Sequence, residues 1–225
     1  MAELRLGVFG GTFNPIHLGH LVLAESFRER LALDRILFVP ARTPPHKPSH
    51  GLAAALHRYA MVTLAVAGHP AFAVSDVDVR RPGPSFSVET LARLAREWPG
   101  ARLVFLMGSD TFLDLPTWRT PEQLGTWAAL AVGYRASSGF DPEGPAAGAA
   151  LARLGRRGWV RVPPADPTDP GVIAVGAVLL VETVSLPVSA QDLRRQLAAG
   201  ESVRYRVPLA VAEYIAQHRI YAELE

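Results

Sequence analysis

Short runs of almost uninterrupted apolar residues, with helix-length stretches between them, constrain this chain more than any other feature. The runs are Leu4–Phe9, Ile36–Pro40, Phe72–Val77, Leu103–Met107 and Ala128–Val132. Helix patterns fall between them at Leu18–Leu31, Leu52–Ala67 and Ser87–Trp98. A strand buried on both faces reads as continuously apolar, and alternation with helices is the signature of a parallel sheet covered on both sides. The expected fold class is therefore α/β, a Rossmann-like parallel sheet with helices on both faces. Thr120-Pro121-Glu122-Gln123 reads as a helix start, with Thr as N-cap and Pro at the first position. Residues 136–171 are rich in Gly, Pro and Ala and read as a long loop or insertion around one helix, Ala146–Leu154. Strand patterns return at Trp159–Val162 and Ala177–Val184. Helices Ala190–Leu197 and Pro208–Arg219 close the chain, within a C-terminal segment 190–221. At 225 residues, a single domain spanning 1–225 is expected.

In such sheets ligands bind beyond the carboxyl ends of the strands. Three motifs sit there. Gly10-Gly11-Thr12-Phe13-Asn14-Pro15 follows the first run. Pro44-Pro45-His46-Lys47 follows the second, in a stretch (Ala41–Gly51) that its prolines keep from being helix or central strand. Gly108-Ser109-Asp110 follows the fourth.

Composition removes whole classes of chemistry. With no cysteine there is no disulfide, thiolate nucleophile or Cys-bound metal. Lys47 is the only lysine and stands in no P-loop or kinase context. Asn14 is the only asparagine. That both survive inside loop motifs is a hint of function in a chain otherwise depleted of them. G-x-S-x-G and H-E-x-x-H are absent, which argues against a covalent enzyme intermediate. The net charge of +2 is not the footprint of a nucleic-acid binder. No secretion signal opens the chain, and the apolar stretch Val172–Val181 is too short to span a bilayer. The expected setting is cytoplasmic, with no membrane partner; homo-oligomerisation is left open.

Gly10–His20 fails the dinucleotide fingerprint G-x-G-x-x-G but has the parts of a phosphate cradle. Gly10 and Gly11 let backbone amides approach an anion, and a helix beginning near Leu18 points its positive end there. His17 and His20 are three apart and share a helix face, with Gly19 between them leaving that face open. Donation to phosphate oxygens is their natural use. A His-pair metal site and two merely structural histidines are the alternatives.

His17-Leu18-Gly19-His20 resembles the H-x-G-H motif of the nucleotidyltransferase superfamily, and Gly10–His20 as a whole resembles the opening of bacterial nicotinate-nucleotide adenylyltransferases. Pro44–Lys47 matches that family's P-P-H-K loop. Arg81–Leu91 resembles its R-x-G-P-S-[YF]-[TS]-x-[DE]-T-L block, and Gly108-Ser109-Asp110 followed by Trp118 its G-x-D…W. The tail Tyr205–Tyr221 resembles its closing helix. One piece departs. The family's I-S-S-T-x-I-R is Val188-Ser189-Ala190-Gln191-Asp192-Leu193-Arg194 here, so two hydroxyls are missing at Ala190 and Gln191.

The resemblance implies a Rossmann-like nucleotidyltransferase that joins nicotinate mononucleotide to ATP, giving deamido-NAD and pyrophosphate. It implies His17, His20 and Arg194 as catalytic residues. ATP would meet Gly10, Gly11, Thr12, Phe13, Gly19, Asp110 and Ser189. The mononucleotide would meet Asn14, Lys47, Ser87, Thr90 and Trp118. Mg²⁺ would enter on the phosphates, with no metal site of the protein's own. The nicotinate carboxylate would be read by backbone amides around Ser87–Thr90, with Arg80 and Arg81 as rival cations. Nicotinamide-mononucleotide or pantetheine-phosphate adenylyltransferase, and a nucleotide-binding regulator without turnover, are the other readings.

Overall fold

The computed structural model describes residues 3–45, 51–135, 139–163, 173–184 and 186–222. Seven strands form one sheet: β1 (Arg5–Gly11), β2 (Arg35–Pro40), β3 (Phe72–Val74), β4 (Arg102–Gly108), β5 (Ala129–Tyr134), β6 (Val160–Arg161) and β7 (Val178–Glu182). Their order is β3-β2-β1-β4-β5-β7-β6, and every neighbouring pair is parallel. The helices are α1 (Leu18–Arg30), α2 (Ala55–Val66), α3 (Ser87–Glu97), α4 (Ser109–Asp114), α5 (Leu124–Trp127), α6 (Pro145–Arg153), α7 (Ala190–Ala198) and α8 (Leu209–Gln217).

Successive side chains of a strand point to opposite faces, so each apolar run fills two cores at once. Val104 and Leu106 of β4 join one core with Phe27 of α1, Val62 of α2, Leu193 of α7 and Ile215 of α8. Leu103, Phe105 and Met107 join the other with Leu91 and Leu94 of α3, Phe112 of α4 and Leu151 of α6. Strands β2 and β5 divide in the same way, with Ile36, Phe38, Ala129 and Ala131 on the first face and Leu37, Val39, Leu130 and Val132 on the second. This two-sided burial is why the runs carry no polar alternation. From β1 the chain builds outward through β2 and β3, then returns to β4 on the opposite side of β1. The strand order reverses between β1 and β4, and that is where a crevice opens beyond the strand ends.

The expected α/β class and order of elements are those observed, with local corrections. Strand β3 stops at Val74 rather than Val77, because Ser75 Oγ accepts the Val77 N–H and turns the chain out of the sheet. Thr120 does stand at the N-cap position with Pro121 first in the helix, but the helix it opens is a 3₁₀ turn and not an α-helix. Thr120 sits in the left-handed region (φ 45°, ψ 51°) with no side-chain cap bond, and the 3₁₀ turn at Pro121–Gln123 precedes the short α5. Helix α4, directly after β4, has no counterpart in the sequence reading.

Candidate active site

A cavity of about 530 Å³ occupies the crevice between the ends of β1 and β4. Its floor is the strip from Gly10 to Asn14. Phe13 holds a left-handed φ of 48° and lays its ring over Gly11, where an added Cβ would come within 2.9 Å of Phe13 Cζ. Gly11 is therefore required by its own neighbour's ring. Phe13 is itself buried, 5.8 Å from Phe9 and 5.2 Å from His20 between ring centres.

His20 stands on the cavity wall. Its Nδ1 accepts the backbone N–H of His17 at 3.2 Å, which leaves the proton of a neutral ring on Nε2. The ring of His17 stacks on that of His20 at 3.7 Å. His17 is off the cavity wall and buried, and its Nδ1 finds no partner among the described residues. Loss of solvation pushes its pKa from 6.5 down to about 4, so the ring is neutral at pH 7. Gly19, expected to leave this face open to a ligand, lies off the cavity wall in close packing. A Cβ there would meet His17 Nδ1 at 3.0 Å and the Leu186 carbonyl at 3.4 Å. The start of α1 is also less open to an anion than expected, because the Leu18 N–H already donates to the Arg206 carbonyl at 2.9 Å.

Asn14 does not present its amide to the cavity. Its Nδ2 donates to the Gly51 carbonyl at 2.8 Å, and its Oδ1 accepts the Ala53 N–H at 3.0 Å and the Tyr221 hydroxyl at 2.7 Å. It lies at the end of the cavity floor as a buried clamp between the β1 loop, the entry to α2 and the chain's tail, with its amide already committed to these three bonds. The Thr90 hydroxyl is likewise committed, to Asp78 Oδ1 at 2.8 Å and to the Phe86 carbonyl. Burial raises the Asp78 carboxyl's pKa, opposed by the Thr90 bond and the nearby Arg81.

Arg194 reaches the cavity from α7. Its Nη1 donates to the Asn14 carbonyl at 2.8 Å and to Ala190 at 3.2 Å, and the rest of the fork bonds to no described residue. Its neighbour Arg195 is exposed and pairs with Asp192. Ser189 caps α7 through the Asp192 N–H at 3.5 Å and lies off the cavity wall, whereas Ala190 is on it. The hydroxyl missing from the sequence motif is thus missing at the wall itself.

Asp110, Trp118 and Ser87 line the remaining side. Ser87 and Val88 open α3, and among the described residues no acceptor is found for their N–H groups. Neither Arg80 nor Arg81 reaches the cavity. Arg80 pairs with Asp76, and Arg81 holds Glu89 and the Pro84 carbonyl. The cation that does line this side is Arg119, its guanidinium 4.6 Å over the Phe86 ring. Lys47 and His46 lie outside the described residues. Among the described residues no three His, Asp or Glu side chains converge as a metal cluster, and no helix is long and apolar enough to cross a membrane.

Arg58, Asp78, Arg119 and Tyr221 were missed by sequence reasoning. Arg58 carried a signal: it falls on the stripe of Met61, Val62 and Val66 that α2 buries, where a charge is out of place.

The cytidylyltransferase-like family model matches residues 8–196. A protein of Thermomicrobium roseum named "probable nicotinate-nucleotide adenylyltransferase" is 44% identical over 221 residues, covering 98% of this chain and 93% of that one. A protein of the same name from Thermus thermophilus is 39% identical over 218 residues, covering 97% and 100%. Among solved structures, nicotinic acid mononucleotide adenylyltransferase of Plasmodium falciparum, complexed with NaAD, superposes with a TM-score of 0.72. It covers 99% of this chain and 100% of that one. At 17% identity the likeness is one of fold.

Proposed function

The chain belongs to the cytidylyltransferase-like family and, within it, to the nicotinate-nucleotide adenylyltransferases, and on that footing we propose that it transfers the adenylyl group of ATP to nicotinate mononucleotide. The products are deamido-NAD and pyrophosphate, a step of NAD biosynthesis. The observation that carries this reading is one continuous cavity at the strand reversal. It joins a glycine-rich loop, His20 and Arg194 on one side to Trp118 and the start of α3 on the other.

The mononucleotide's phosphate attacks the α-phosphorus of ATP in line. A phosphomonoester's second pKa is about 6, so the nucleophile is already anionic and no general base is required. Catalysis then rests on holding two polyanions together and meeting charge that builds on the leaving pyrophosphate. His20 donates from Nε2 as a neutral ring. The unoccupied part of the Arg194 fork takes the β- and γ-phosphates, with Nη1 already anchored on Asn14. His17 acts through His20, which it stacks against and fixes in tautomer through its own N–H. Mg²⁺ enters as part of the ATP substrate, carried on phosphates and water.

At the other end Trp118 offers a face for the pyridine ring. The free N–H groups of Ser87 and Val88, at the positive end of α3, receive the carboxylate. Asp110 accepts a ribose hydroxyl. A cytoplasmic setting fits these substrates. The test is pyrophosphate release from ATP with nicotinate mononucleotide, nicotinamide mononucleotide or phosphopantetheine as acceptor. Release with the first at the highest kcat/KM is expected. ATP binding without release with any of them would make the chain a nucleotide-binding regulator instead.

A further inference from the structure

Arg58 does not itself line the cavity, yet segments that wall the cavity are fastened to it. It rises from α2 fully buried, at 0% exposure. Its Nη1 donates to the Thr12 carbonyl at 2.7 Å, its Nη2 to the Arg42 carbonyl at 2.8 Å and its Nε to the Ala53 carbonyl at 2.9 Å. Thr12 belongs to the cavity floor, and Arg42 and Ala53 adjoin the lining residues Ala41 and Leu52. No carboxylate among the described residues pairs with it.

We propose that Arg58 is a positioning residue for adenylyl transfer. It holds the floor of the phosphate site in register with the segments after β2 and before α2, and it places a buried positive charge, paired with no carboxylate of the described residues, beneath that floor. The inference rests on the adenylyl-transfer reading above.

A charge buried without a counter-ion is costly, and an apolar side chain of similar volume serves a core as well or better. Arg58 is therefore poorly explained by packing. Burial lowers its pKa only to about 10, so it keeps its charge at neutral pH. Two polyanionic substrates bring negative charge to the floor directly above it. The three bonds serve the same end. A carbonyl oxygen held by a guanidinium is not presented to a phosphate, and Arg58 and Arg194 take the carbonyls of Thr12 and Asn14 respectively. Only a planar fork with several fixed donors can span three carbonyls at once.

The experiment compares wild type, Arg58→Gln and Arg58→Lys. It measures thermal unfolding, binding of Mg·ATP alone by calorimetry at two salt concentrations, and kcat with KM for each substrate. Arg58→Gln is expected to melt cooperatively, to bind ATP about tenfold more weakly, and to lose part of the salt dependence of binding. Arg58→Lys restores the charge but not the span. Its ATP affinity should return to within about threefold of wild type while kcat stays about tenfold down. A folded Arg58→Gln with ATP affinity and salt dependence within twofold of wild type overturns the proposal. So does Arg58→Lys failing to fold, since that would make shape alone the role of this side chain. If Arg58→Gln alone fails to fold, the lysine variant decides. A wild-type protein that binds ATP without releasing pyrophosphate fails the activity reading, and the ATP affinities still judge the charge beneath the floor.

Discussion

His17 should make this protein's stability fall with acid in a defined window. In the folded state its pKa is held from 6.5 down to about 4 by burial, with Nδ1 unpartnered among the described residues. Between those values the unfolded chain takes up a proton that the folded chain refuses. Stability is therefore intact above pH 6.5 and declines as pH falls toward 4. At about 1.4 kcal/mol per pKa unit, the gap amounts to roughly 3 kcal/mol. That is a large share of the 5–15 kcal/mol or so typical of a folded domain. The assay is urea unfolding of wild type and His17→Gln from pH 7.5 to pH 4. Groups remote from His17 contribute alike in both proteins and cancel in the difference. The wild type should lose about 3 kcal/mol more than the variant, nearly all of it below pH 6.5. Parallel profiles would refute the reasoning, because they would mean the His17 ring is solvated and protonates freely.

Arg194→Ala should raise KM for ATP and lower kcat by about a hundredfold, whereas Arg195→Ala, removing an exposed pair with Asp192, should leave both within about twofold. Steady-state kinetics on the two variants decides it. Tyr221→Phe removes one donor from Asn14 Oδ1, which still accepts from Ala53. A cost of about 1 kcal/mol and a Tm lower by about 2–4 °C are expected by calorimetry. Asn14→Ala strands the Gly51 carbonyl, the Ala53 N–H and the Tyr221 hydroxyl together and should cost about 3 kcal/mol or more. The preference for nicotinate over nicotinamide mononucleotide should survive Arg80→Ala and Arg81→Ala, since neither side chain reaches the cavity. Its collapse in either, in paired kcat/KM measurements, would hand the carboxylate to that arginine.

The sheet was legible because burial on both faces leaves its mark on every residue of a strand. Phe105 and Leu106 serve opposite cores and are equally apolar. Helix α4 was not, because six residues following a glycine carry too little periodicity to stand out. The local motifs converge on one crevice, since Gly10, His20, Asp110, Trp118 and Arg194 all line it. What the sequence hid was which lining side chains are already committed to partners in the protein. Asn14 and Thr90 are spent on bonds to Tyr221 and Asp78, partners 207 and 12 residues away. No spacing rule forecasts a bond that only the tertiary fold creates. The same holds for Arg58, whose three acceptors come from three separate segments.

The central claim is adenylyl transfer to the mononucleotide's phosphate, and following the label on ATP tests it most directly. With ATP labelled at the α-phosphorus and nicotinate mononucleotide as acceptor, all label consumed should appear in deamido-NAD, while a γ-label should appear only in pyrophosphate. Label released as AMP or ADP, or none transferred while ATP binds, would contradict the account.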